Sequence, residues 1–118
     1  MPAQHYTGSC QCGAVRFEAT VDLDSAISCN CSRCGRLGSI LTFAPQKNFK
    51  LLAGEDSLTD FQFNKHIIHH LFCRVCGIQP FARGTTPDGH AMVAVNARCL
   101  EGVEPDELSP KKMDGRSR

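Results

Sequence analysis

Over residues 14–21 the chain alternates, with Val15, Phe17, Ala19 and Val21 on one side and Arg16, Glu18 and Thr20 on the other. A period of two is the pattern of a half-buried strand. Short apolar runs at 40–43 and 49–52, a mixed pattern at 58–63 and a further run at 91–95 predict four more strands. Turn residues separate them, Ala53-Gly54-Glu55-Asp56 and Thr86-Pro87-Asp88-Gly89. No segment sustains a 3.6-residue period, so helix is limited to short turns over 32–37 and near 104–108. Short strands at this spacing predict a mainly β, single domain over 1–118. The polar end, 109–118, with Lys111, Lys112, Arg116 and Arg118, reads by itself as a frayed terminus.

Composition narrows the function classes. The 118 residues are 42% hydrophobic and 21% charged with a net charge of +1, without the basic excess expected of a nucleic-acid binder. No stretch approaches the roughly 20 apolar residues that span a bilayer. Residues 1–9 carry neither a basic segment nor an apolar run, so they are not a secretory signal, and the chain is expected in the cytoplasm. Structural disulfides are rare there, which leaves the eight cysteines needing another explanation.

Their spacing supplies one. Cys10 and Cys12 form a Cys-x-Cys pair, Cys73 and Cys76 a Cys-x-x-Cys pair, and Cys29, Cys31 and Cys34 a triplet within six residues, while Cys99 stands alone. Zn²⁺ with Zn–S near ~2.3 Å needs thiolates a few ångströms apart, and Cys pairs on tight turns provide that. Glycine follows each close pair, Gly13 after Cys12 and Gly77 after Cys76, where it relieves crowding. Two sites are therefore expected. Cys10, Cys12, Cys73 and Cys76 make a closed structural Cys₄ zinc site. Cys29, Cys31 and Cys34 leave a fourth position open to water or ligand, as in a catalytic zinc. A redox pair of Cys31 and Cys34 is the rival for the triplet. Cys99 is either a small buried hydrophobe or a further ligand of the triplet. His66 and His70 are four apart, but their surroundings do not look helical, so the histidines are read as exposed strand or loop positions. Gly35-Arg36-Leu37-Gly38 lacks the preceding strand of a phosphate-binding loop and reads as a turn.

The order of the motifs adds to this. Ser9-Cys10-Gln11-Cys12-Gly13-Ala14-Val15-Arg16-Phe17 is followed by Cys29-Asn30-Cys31-Ser32-Arg33-Cys34, Phe72-Cys73-Arg74-Val75-Cys76-Gly77, Val95-Asn96-Ala97-Arg98-Cys99-Leu100 and Asp114-Gly115-Arg116. From about Gly8 to Arg116 the chain resembles the glutathione-dependent formaldehyde-activating enzyme family, which includes centromere protein V. The stretches around Thr59–His66 and Gly77–Phe81 look closer to the centromere protein V branch. The resemblance implies a β-rich Mss4-like fold, a structural zinc on Cys10, Cys12, Cys73 and Cys76, and a second zinc on Cys29, Cys31 and Cys34, which is expected to be labile because only three protein ligands hold it. It implies carbon–sulfur lyase chemistry on a thiol adduct of a small aldehyde, with glutathione as co-substrate. Asn96 and Arg98 become tentative thiol-ligand contacts near the triplet, sharing one face if 95–99 is a strand. The tail, through Asp114-Gly115-Arg116, becomes packed rather than frayed. The alternative function is a non-catalytic zinc module that binds a protein partner, as an Mss4-like fold permits.

Overall fold

A computed structural model describes residues 3–117. Arg118, the last residue of the polar tail, lies outside them. Among the described residues ten strands form two sheets. The first holds β1 (Gln4–Ser9), β2 (Arg16–Val21) and β5 (Phe49–Ala53), in the order β1-β2-β5. The second holds β3 (Ile27–Cys29), β4 (Leu41–Pro45), β6 (Leu58–Phe61), β7 (His69–Cys73), β8 (Phe81–Thr85), β9 (Ala91–Asn96) and β10 (Lys111–Met113), in the order β10-β3-β4-β9-β8-β7-β6. Neighbours pair antiparallel except β10, which runs parallel to β3. Among the described residues there is one α-helix, α1 (Ser32–Leu37), which follows β3.

The alternation of β2 is realised as expected. Phe17, Ala19 and Val21 are buried, as is Val15 just before the strand, while Arg16 is exposed. Phe17 of the first sheet meets Phe81 of the second at 5.9 Å, and Phe49 packs on both at 5.4 and 4.6 Å. Offset and edge contacts at these distances are favourable for aromatic rings. Burying side chains of this size contributes about 1.5–3 kcal/mol each, so this trio is a main fastening between the sheets.

Two features place the cysteines. The β1–β2 turn carries Cys10 and Cys12, Cys73 ends β7, and Cys76 lies in the turn that leads to β8. Cys29 ends β3, Cys31 caps α1 and Cys34 lies inside it. The tail does not fray, because β10 adds to the edge strand β3 and the Asn30 N–H donates to the Met113 carbonyl. Among the described residues no helix is long and apolar enough to cross a membrane.

Candidate metal centres

The first cluster is assembled by two hairpin turns 61 residues apart in sequence. The sulfurs of Cys10, Cys12, Cys73 and Cys76 all lie within 4.8 Å of one another. Cys10 and Cys12 are 3.6 Å apart and Cys12 and Cys73 are 3.7 Å apart. Those spacings are far beyond a disulfide bond. They match the edge of a tetrahedron of sulfurs around a metal at ~2.3 Å, which is about 3.8 Å. The donor set therefore fits a thiophilic ion held by four cysteines.

Each turn shapes the cluster through its backbone. The Val15 N–H donates to Cys10 Sγ at 3.3 Å and the Val75 N–H to Cys73 Sγ at 3.4 Å. Gly13 and Gly77 take φ of 83° and 82°, a left-handed conformation that a side chain disfavours. A Cβ at either would meet nothing, so the glycines are required by conformation and not by crowding. The thiols share protons unevenly. The Ile78 N–H and neighbouring groups pull Cys76 down to about 6. Against the pull of the Ala14 N–H, desolvation and the three other thiols hold Cys12 up at about 11. Burial opposes ionisation of Cys10, but the Val15 N–H and the Cys12 and Cys73 thiols outweigh it and lower its pKa.

The second cluster is local. The sulfurs of Cys29, Cys31 and Cys34 also lie within 4.8 Å of one another. Cys29 Sγ accepts from the Cys31 N–H at 3.5 Å, and Cys31 Sγ from the Cys34 N–H at 3.2 Å. Burial works against the Cys31 thiolate, yet the Cys34 N–H and the neighbouring thiols bring its pKa below the ordinary value. Burial and then the Cys31 sulfur push Cys34 up to about 12. Ser39 is buried beside Cys34 and its hydroxyl works in the opposite direction. Three thiols close together, without a fourth among the described residues, are a donor set able to take a metal and leave one position free.

The tail closes over this cluster. Asn30 Nδ2 donates to Asp114 Oδ1 at 3.0 Å, and Asn30 Oδ1 accepts the Arg116 N–H at 2.9 Å. Gly115 lies so near that a Cβ there would sit 2.4 Å from Cys29 Sγ and 3.1 Å from Cys31 Cβ. Spacing arguments centred on cysteine did not reveal this part of the site; the Asp114-Gly115-Arg116 motif was its only sequence signal. A cleft of about 330 Å³ opens beside Cys29, lined also by Asn30, Gly35, Lys112 and Asp114.

Asn96 and Arg98 take different positions from a shared strand face. β9 ends at Asn96, and Ala97–Cys99 is a 3₁₀ turn, so alternation stops there. Asn96 is buried, donates from Nδ2 to the Gln79 carbonyl at 3.0 Å, and accepts the Arg98 N–H at 3.1 Å. Arg98 is exposed and donates from Nε to the carbonyl of Gly38, the residue that ends α1, at 3.0 Å. Both thus brace the elements around the triplet, and their hydrogen bonds go to backbone groups and not to its sulfurs. Cys99 lies toward the other cluster, within electrostatic reach of Cys10 and Cys76, without joining its four sulfurs. Burial first, then the Cys10 and Cys76 thiols, push it up to about 12. His66 sits in a loop at φ 56° and His70 in β7, so their spacing of four has no helical meaning.

A larger cleft, about 610 Å³, lies on the other side of α1, between Ser32, Arg33, Arg36 and Leu37 and the aromatic pair Phe61 and Phe63. Arg33 Nε donates to Gln79 Oε1 at 2.9 Å, and its guanidinium lies 4.8 Å from the Phe61 ring centre.

Comparison with known proteins agrees with this architecture. The profile of the family described as glutathione-dependent formaldehyde-activating enzyme matches residues 5–114. A crystal structure of a Rhodobacter sphaeroides protein is similar at 33% identity and a TM-score of 0.81, over 90% of this chain and 97% of that one.

Proposed function

Because the chain belongs to the glutathione-dependent formaldehyde-activating enzyme family, we propose that it is a single zinc-binding domain that makes and breaks a carbon–sulfur bond. The substrate class is a glutathione-type thiol and a small aldehyde, formaldehyde being the family's own. The protein partner reading, a zinc module without catalysis, is the alternative outcome. The observation that carries the proposal is the triplet: three thiols in one short segment, bordered by a cleft, with no fourth cysteine beside them among the described residues.

In the proposed reaction the thiol sulfur bonds to the carbonyl carbon, the carbon–oxygen π bond opens, and the S–H proton ends on the new hydroxyl. The reverse step returns thiol and aldehyde, and nothing is oxidised or reduced. A zinc ion at the triplet would supply a lowered pKa for a bound thiol. The chain's own part is to hold that thiol. Cys29, Cys31 and Cys34 provide the donors, and the Cys31 and Cys34 N–H groups fix the Cys29 and Cys31 sulfurs. Gly115 leaves the sulfurs room. Holding two reactants in one geometry is itself a large part of the rate. Cys10, Cys12, Cys73 and Cys76 hold a structural zinc in the same proposal. A reduced cytoplasm suits both sets, since they need free thiolates.

The test is metal analysis of the purified chain with a screen of thiol and aldehyde pairs, glutathione with formaldehyde among them. Two zincs per chain and turnover that Cys31→Ser abolishes are expected. Two zincs with neither thiol binding nor turnover would leave the non-catalytic module standing.

A further inference from the structure

The seven-stranded sheet ends at β10 on one side and at β6 on the other. The β10 edge carries Lys111 and Lys112, and lysines are one way natural sheets keep an edge from pairing with another chain. β6, Leu58-Thr59-Asp60-Phe61, has no cation, and its single charge, Asp60, is taken by His69 Nδ1 at 2.7 Å. Its backbone is open outward. Leu58 stands opposite Cys73, and the Arg74 N–H donates to the Ser57 carbonyl at 2.8 Å. In an antiparallel ladder this turns Thr59 and Phe61 toward β7, and Leu58 and Asp60 away from it. The Leu58 N–H is used by the Glu55 carbonyl. The Leu58 carbonyl and both backbone groups of Asp60 have no partner among the described residues.

The surface beside that edge is apolar and positive. Between α1 and β6 lies the cleft of about 610 Å³, lined by Ser32, Arg33, Arg36, Leu37, Phe61 and Phe63, with two cations and no acid. Leu37 and Phe61 are exposed. Arg33 is held in place, with Nε on Gln79 Oε1 at 2.9 Å and the guanidinium 4.8 Å from the Phe61 ring centre, so its Nη groups remain for an acceptor. Arg36 donates from Nη1 to the Ser32 carbonyl at 2.8 Å and adds a second charge.

Edge and cleft fit one kind of occupant. A strand laid along β6 puts every second side chain on the face that carries Phe61. Side chains opposite one another across a strand pair are about 5 Å apart, so these reach the cleft. Carboxylates there meet the planar donors of arginine, and apolar side chains meet Leu37 and Phe61. A second copy of this chain on a two-fold axis would bring the same cations to the same patch, so the charge selects a different partner.

We propose that β6 and the adjoining cleft are a docking site for an extended acidic segment of another protein. The segment adds to the sheet beside β6 and alternates carboxylate and apolar side chains toward Arg33, Arg36, Leu37 and Phe61. In strand addition the main chain gives affinity and alternate side chains give specificity. The site is separate from the triplet, so it holds whether or not the chain works on a carbon–sulfur bond.

The experiment titrates the full chain with a short fluorescent peptide in which threonine alternates with glutamate and leucine in turn. Wild type should bind it roughly ten-fold or more tightly than the same peptide with lysine for glutamate, and added salt should weaken it. Arg33→Gln and Arg36→Ala, each first checked for metal content and melting temperature, should each lose several-fold in affinity for the glutamate peptide alone. Two N-methylated peptides test the main chain without altering the protein. Methyl groups on the alternate nitrogens of one peptide edge should abolish binding, and those on the other edge should leave it. Equal binding of the glutamate and lysine peptides, tolerance of both methylation patterns, or no binding of any peptide overturns the proposal. So does a dimer of the chain alone, seen by sedimentation, that Phe61→Ser dissolves, since the face would then belong to a second copy. Each of these results leaves the thiol reading as it stands.

Discussion

At the residue scale the two clusters differ in what each cysteine supports. Cys73 is fully buried and belongs to a cluster that joins two hairpins, so Cys73→Ser should cost one bound metal and much of the stability. Metal content and thermal melting measured together check this; a variant that keeps its metal and melts like wild type would refute it. Cys31→Ser should instead leave most of the fold standing, because its cluster spans only six residues. Gly115 offers a finer test. A methyl group there would overlap Cys29 Sγ, so Gly115→Ala should weaken metal at the triplet about ten-fold or more while shifting the melting temperature little. Chelator competition reads the first quantity and calorimetry the second. If chelator removes metal from the alanine variant and wild type alike, Gly115 is not part of the site. Sequence reasoning reached the seven cysteines because metal ligands are set by residue type and close spacing. It did not reach Gln79 or Arg33, whose meaning comes from a hydrogen bond across 46 positions.

At the element scale, β2, β4, β5, β6 and β9 were legible in the sequence, whereas β1, β3, β7, β8 and β10 were not. β2 alternates, and its buried positions are the ones its sequence indicates. β1 was missed because Gln4, His5 and Thr7 are exposed and leave no apolar stripe. β10 was missed because Lys111-Lys112-Met113 becomes a strand only by pairing with β3. Read alone, that stretch looked like a loose end, and only the family motif indicated packing. The stretch 95–99 failed as a strand because the Asn96 side chain accepts the Arg98 N–H and so starts a 3₁₀ turn. The β10 pairing has its own expected consequence. Asn30→Ala removes both side-chain bonds that clamp the tail, so it should speed release of metal from the triplet several-fold without touching the four-cysteine cluster. Stopped-flow chelation with one fast and one slow phase would show it, the fast phase alone responding. Equal rates in both proteins would mean that the tail does not guard the cluster.

At the scale of the whole molecule, pH and packing act on the fold together. His70 is buried against Phe63 at 5.0 Å, and burial, then the Arg33 charge, hold its pKa below the ordinary value. The unfolded chain therefore takes up this proton at higher pH than the folded one. Stability from His70 is complete above the unfolded value near 6.5 and falls as pH drops below it. His70→Phe should flatten the acid limb of a stability–pH curve in that window; an unchanged slope would exclude His70 as a contributor. Phe17→Ala, which removes the ring shared by both sheets, should cost about 3–5 kcal/mol in denaturant unfolding. The four-cysteine cluster fastens the same two sheets at their turns, and it has a consequence in time. A metal held by this cluster would tie Cys12 to Cys73 across a loop of 61 residues, and in a cross-link model that constraint would be worth about 4 kcal/mol. A ribosome adding ~5–20 residues per second needs about 3–12 s to make that loop. For that interval each nascent chain carries Cys10 and Cys12 as unpartnered thiols, so the rate of synthesis sets how long they stay open to oxidation or to the wrong metal.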